Sequence, residues 1–147
     1  MLSVDTNILL PSVDVDHRDH ASAAAFVQSL QDRDDVAISE FILLELYVLL
    51  RNPAVVVSTL NAAAAARVCE IFRAHPRWQL IGFPADSRKL HDQLWRRLHE
   101  KNFARRRAYD LRSALCLLQS GVSEFATVNL KDFQGIGFAR VWNPLSP

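Results

Sequence analysis

Asp5 closes the predicted strand that begins at Leu2 and is followed directly by Thr6 and Asn7, so three small polar side chains emerge where a strand gives way to a loop. A carboxylate in that position either caps the next turn or faces a ligand. Glu45 has a different setting. Nine of the ten residues from Phe41 to Leu50 are apolar or aromatic, which predicts a helix buried nearly all round. A lone carboxylate in such a helix costs on the order of several kcal/mol unless it is paired or binds a cation, and no Lys or Arg stands three or four residues away to serve it. Asp110 opens the stretch AYDLRSALCLLQSG, one turn after Arg105, Arg106 and Arg107. An acid in the first turn of a helix is favoured by the macrodipole whatever else it does. Asp132 lies in FATVNLKDF with Thr127 and Asn129, residue types that also serve turns.

Taken one at a time, these residues fit local structure. Taken together, the elements after the first, second and fourth predicted strands each deliver an acid to the same edge of a sheet. Converging carboxylates repel strongly, so the site either holds protons or binds divalent cations. Mg²⁺ or Mn²⁺ among oxygen ligands is the expected cofactor, and metal-assisted hydrolysis of a phosphodiester is the chemistry that such a site suits.

The elements that must position these acids follow from hydrophobic pattern and breakers. Apolar runs of strand length alternate with stretches of helical period, which predicts a mainly parallel sheet flanked by helices. Strands are expected at Leu2 to Asp5, Val36 to Ile38, Trp78 to Phe83, Phe125 to Val128 and Ala139 to Trp142. Helices are expected at Asn7 to Pro11, Ala21 to Gln31 with Asp19 as N-cap, and Glu40 to Arg51 capped by Ser39 and stopped by Pro53. Three more are expected: Leu60 to Ala74, a basic helix from Asp86 to His99, and Ala108 to Ser120 ending at Gly121. In an open parallel sheet, ligands sit beyond the carboxyl ends of the strands, where the strand order reverses.

With 147 residues, half of them hydrophobic and 22% charged, and with only four Gly and six Pro, the chain reads as a single domain over 1–147 and not as a disordered or fibrous segment. Cys69 and Cys116 make neither a disulfide framework nor a zinc module, so a reducing, cytoplasmic setting is expected. The N-terminus MLSVDTNILL has no basic region and carries an acid at position 5, so no signal peptide is expected, and no apolar run approaches membrane-spanning length. Charge is lopsided. Residues 1–50 hold nine acids against two bases, residues 51–123 thirteen bases against five acids. That asymmetry points to a nucleic acid or another anionic ligand, or to solvated faces that differ in sign. Residues 88–112 alone hold nine bases, interleaved with Trp95, Phe103 and Tyr109, a composition that suits phosphate neutralisation and base stacking. Arg105, Arg106, Arg107 and Arg112 are the candidate nucleic-acid contacts, because they flank Asp110. No glycine-rich phosphate loop occurs, and the stretch DVDHRDH lacks both the EF-hand glycine and a HExxH pattern.

Four segments in order, VDTNILL, SEFILLELYVLLRNP, YDLRSALCLL and FATVNLKDFQGIGFARVWNP, resemble the PIN-domain ribonucleases and, within them, the VapC toxins of bacterial toxin–antitoxin pairs. The resemblance spans nearly the whole chain and implies a PIN-like α/β fold. It also implies a Mg²⁺- or Mn²⁺-dependent endoribonuclease, a VapB-type antitoxin as partner, and tRNA or rRNA as substrate. The family's three core acids fall on Asp5, Glu45 and Asp110, and its polar supports on Thr6, Asn7, Ser39 and Thr127. The fourth acid of many PIN domains stands two residues after the strand-4 threonine, where this chain has Asn129; Asp132 is the candidate substitute, and one metal or two remains open. The apolar residues from 41 to 74 suit a homodimer surface as well as a core. Two competing readings remain: a PIN nuclease that matures RNA without being a toxin, and a haloacid-dehalogenase-like phosphatase. The latter also ends its first strand in Asp but takes a second acid where Asn7 stands.

Overall fold

A computed structural model describes residues 1–146; Pro147, the last residue of the expected domain, lies outside the described residues. Five short strands make one parallel sheet in the order β3-β2-β1-β4-β5. They are β1 (Leu2–Val4), β2 (Val36–Ser39), β3 (Gln79–Ile81), β4 (Glu124–Ala126) and β5 (Arg140–Trp142). Leu2 stands opposite Val36 on one side and Glu124 on the other. The chain moves outward from β1 through β2 to β3, then returns to β4 on the other side of β1. The strand order therefore reverses at β1, and the crevice between the carboxyl ends of β1 and β4 is where such sheets bind ligands.

Among the described residues seven helices flank the sheet: α1 (Thr6–Val13), α2 (His20–Ser29), α3 (Glu40–Leu50), α4 (Ala62–Arg73), α5 (Ser87–Leu98), α6 (Arg107–Gln119) and α7 (Leu130–Phe133). Crossovers of a single hand put the helices after β1 and β2 on one face of the sheet and those after β3 on the other. Packing agrees: α1 lies against α2 and α3, α3 against α4, α5 against α6, and α6 against α7. β1 and β2 are buried throughout, as a sheet covered on both faces requires. The core gathers Val4, Ile8, Leu9, Ile38, Leu46, Leu117 and Phe125, each essentially without solvent contact. Among the described residues no helix is long and apolar enough to cross a membrane.

The α/β architecture with a parallel central sheet is the one the sequence predicts, and four details correct the expectation. α3 is not buried all round: Leu44 is 64% and Val48 56% exposed, and Glu45 between them faces solvent as well. Its apolar surplus is one side of an open cleft, which helical periodicity cannot tell from core. Asp19 precedes α2 without a side-chain cap bond; its carboxylate turns to Arg18 and His17. α1 runs through Pro11 to Val13: Pro11 is the sixth of its eight residues and forfeits one backbone hydrogen bond without ending the helix. The segment of Asp132, read as a loop, is the four-residue α7.

Candidate active site

Asp5 sits at the sheet's switch point and its carboxylate is fixed from three directions. Oδ1 accepts the Thr6 N–H at 2.7 Å, while Oδ2 accepts the Asn7 amide at 2.8 Å and the Thr127 hydroxyl at 2.6 Å. The first bond caps α1. The third ties the end of β1 to the end of β4, so Asp5 is held across the crevice by residues 122 apart in the chain. Asn7 completes the tie: its side-chain oxygen accepts the Val128 N–H at 3.2 Å. Thr6 and Thr127 are buried. Thr6 donates its hydroxyl to Glu45 Oε2 at 2.9 Å, fastening α3 to the start of α1.

Asp5, Glu45 and Asp110 line one cleft of about 690 Å³, which Phe41, Arg106, Tyr109 and Arg112 share. None of the three acids is in an ion pair among the described residues. The electrostatic consequence is large. Burial pushes the Asp5 carboxyl up from 3.8 to about 7; the charges of Glu45 and Asp110 add to the rise, and the bonds from Thr127 and the Thr6 N–H oppose it. Asp110 is raised too, by burial first, then by Glu45 and Asp132, with Arg107 opposing. The acids are thus short of positive charge in the folded protein.

The other candidates have different surroundings. Asp132 is held by Arg107, whose Nε lies 3.1 Å from Oδ1, and by the amide of Asn129. Arg107 also donates to the Asp132 carbonyl at 3.0 Å and lies over the ring of Phe103. The arginine triplet is therefore divided: Arg107 is a half-buried partner of Asp132, while Arg105 and Arg106 are exposed and Arg106 faces the cleft. Arg112 stands over Phe41 and Tyr109. Ser39 is buried and accepts the Phe41 N–H at 3.1 Å; it caps α3 and does not line the cleft. Sequence reasoning missed Ser113, which also lines the cleft. Its position three residues after Asp110 on a helix was the available signal. A second basic groove lies along α5, where Lys89, Arg96 and Arg97 face Gln119 of α6.

Among the described residues, no three Asp, Glu, His or Cys side chains converge closely enough to cage an ion by themselves. The carboxylate and hydroxyl groups that could ligate an ion in the cleft offer only oxygens, and none of the three carboxylates is held in an ion pair among the described residues. That set fits a hard divalent ion such as Mg²⁺, which keeps several of its waters and takes one or two carboxylates. It does not fit a closed zinc site, which takes four N or S ligands.

A parallel α/β sheet whose switch point carries a cleft of unpaired acids is the architecture that the resemblance to the PIN-domain ribonucleases implies. No family model matches the chain. It is 44% identical over 146 residues, 99% of its length and 98% of the relative's, to Ribonuclease VapC24 of Mycobacterium tuberculosis. It therefore belongs to the VapC ribonucleases. Solved structures share the fold at low identity. VapC20 of M. tuberculosis, a toxin that cleaves the sarcin–ricin loop, matches at 19% identity and a TM-score of 0.67, over 95% of this chain and 97% of that one. FitAcB from Neisseria gonorrhoeae matches at 20% and 0.67 over the whole of both chains. VapBC2 from Rickettsia felis, bound to a DNA fragment from their promoter, matches at 17% and 0.61, over 95% of this chain and 97% of that one.

Proposed function

We propose that this chain is a Mg²⁺- or Mn²⁺-dependent endoribonuclease and the toxin of a toxin–antitoxin pair. The observation that carries the metal dependence is the trio Asp5, Glu45 and Asp110 in one cleft with no paired cation. Asp5 and Asp110 would hold the ion, and Glu45 would be a further ligand or would orient a water. When bound, the ion offsets the charge of the phosphate and lowers the pKa of a water. The chain's own work is geometric. Thr127, Asn7 and the Thr6 N–H hold the Asp5 carboxylate in one orientation, and the Thr6 hydroxyl does the same for Glu45. Fixed donors of this kind cost no reorganisation when charge moves. Arg105, Arg106 and Arg112 meet the phosphates of the strand on either side.

The substrate on this reading is a structured RNA, a tRNA or rRNA; the VapC20 toxin, which shares the fold, cleaves the sarcin–ricin loop. The chain has two protein partners. A VapB-type antitoxin is supported by the VapBC2 neighbour. A second copy is supported by Leu44, Val48, Val55, Val57 and Ile71, large apolar side chains that a lone chain leaves in water. The test is cleavage of total RNA by the purified protein, with sequencing of the new ends. Discrete cuts that need Mg²⁺ or Mn²⁺ and vanish with EDTA support the proposal; equal cleavage with excess EDTA overturns the metal dependence.

A further inference from the structure

Next to the acid cleft lies a second cavity of about 350 Å³, and Phe41 and Arg112 form part of the wall of both. We propose that this cavity is a nucleobase subsite, in which one unpaired base beside the scissile phosphate leaves the RNA strand and stacks on Phe83. The proposal rests on the ribonuclease reading of the acid cleft.

Phe83 stands in the connection between β3 and α5, on the same carboxyl edge of the sheet as Asp5. It is 88% exposed, an unusual place for a phenyl ring in a chain with a well-filled core. The Phe41 ring meets it edge to face, 5.9 Å away at 76°, so at least one face of Phe83 is free of aromatic contact, and the ring lines the cavity. A bare aromatic face beside a phosphodiester-cleaving site is a platform for a base, since every base has a π-face. Arg112 supplies the charge. Its guanidinium lies 5.3 Å from the Phe41 ring centre and 5.6 Å from that of Tyr109, and no carboxylate pairs with it among the described residues. Standing on the shared wall, it reaches a phosphate in one cavity or a base edge in the other.

The rest of the lining suits a base more than an aliphatic anchor. Ser87 and His91, one turn apart on α5, bring further polar atoms to a wall that is apolar apart from them and Arg112. His91 Nδ1 lies 2.7 Å from the Ser87 carbonyl oxygen. That contact engages one ring nitrogen and leaves Nε2 for a hydrogen bond to the edge of a base. The volume accommodates a purine. Because the two cavities share a wall, a base seated here keeps its own phosphate within one nucleotide's reach of Asp5 and Asp110. Single-stranded RNA is read in this manner, by bases splayed out onto aromatic side chains.

The experiment uses the full-length protein with Mg²⁺ and an RNA cut by the wild type, together with the same RNA made abasic at each position around the cut. On the intact RNA, Phe83→Ala is expected to raise KM by about five- to a hundredfold and to broaden the distribution of cuts. Phe83→Trp restores wild-type KM, and because Phe83 is exposed both variants keep the wild-type melting temperature. On the RNA lacking the seated base, wild type and Phe83→Ala become equal. Equal KM and cut patterns for wild type and Phe83→Ala on intact RNA overturn the subsite while leaving the ribonuclease reading intact. So does a Phe83→Ala defect that persists undiminished on every abasic RNA, or one confined to binding of the antitoxin. A wild-type protein that cuts no RNA overturns the ribonuclease reading and the subsite with it.

Discussion

Asp5 and Asp132 are the same residue type at the same edge of the sheet, one after β1 and the other after β4, and the fold treats them oppositely. Asp132 has a guanidinium of its own, with Arg107 Nε 3.1 Å away. Asp5 has three hydrogen-bond donors, all of them neutral. Neutral donors fix where a carboxylate points and cancel only part of its charge, so burial and the neighbouring acids still carry the Asp5 carboxyl up to about 7. An internal partner makes an acid structural. An acid without one keeps its charge uncancelled, which is the condition that Asp5, Glu45 and Asp110 share around one cleft and on which the proposed metal dependence rests.

The largest expected effect is on catalysis. Asp5→Asn and Asp110→Asn each lower RNA cleavage by more than about 100-fold, measured at saturating Mg²⁺, whereas a comparable loss in Asp132→Asn would erase the distinction between the two acids.

Stability should move the other way. In metal-free protein the Asp5 carboxyl titrates near 7 when folded against 3.8 as its ordinary value. A raised acid costs nothing below the unfolded value, and its penalty grows as pH rises and is complete above the folded one. A shift of that size is worth up to about 4 kcal/mol, and the solvent-facing side of the cleft leaves roughly half of it. Asp5→Asn in EDTA is therefore expected to stabilise the protein by about 2 kcal/mol above pH ~7 and by almost nothing near pH ~4. Urea unfolding across that range reads it out, and a uniform loss of stability would make Asp5 a structural acid like Asp132.

A smaller effect separates the bases. Replacing Arg105 and Arg106 by Gln should lower the slope of log affinity against log salt by about 0.7 per lost contact with single-stranded RNA. Arg107→Gln should leave that slope unchanged and cost about 1 kcal/mol of stability, because its charge is committed within the fold. The smallest effect is on the metal: Asp132→Asn should change Mg²⁺ affinity less than about threefold by calorimetry, its charge being already offset by Arg107. The double variant with Arg107→Gln tests whether that offset is the reason.

Asp5, Glu45 and Asp110 were each legible as candidates from their immediate neighbours in the chain: a strand end, an apolar helix with no basic residue nearby, a helix first turn. The alternation of strand-length and helix-length patterns gave the parallel sheet as well, because periodicity and breakers are local properties. Glu45 was legible for a reason that was only half right. The helix around it is apolar, yet Leu44 and Val48 border an open cleft, and the pattern of a cleft wall is the same as that of a core.

What stayed out of reach was pairing. Nothing near Arg107 in the chain distinguishes it from Arg105 and Arg106; it leaves the basic set because α7, twenty-five residues on, brings Asp132 against it. Ser39 has the composition of a site residue and spends its hydroxyl on the cap of α3. Thr127 and Asp5 meet only because β4 pairs with β1. Residue type and local spacing decide which charges a chain owns and which elements carry them. Which of those charges are cancelled, and which are left uncancelled, is decided by contacts between residues far apart in sequence, and these exist only once the sheet has formed.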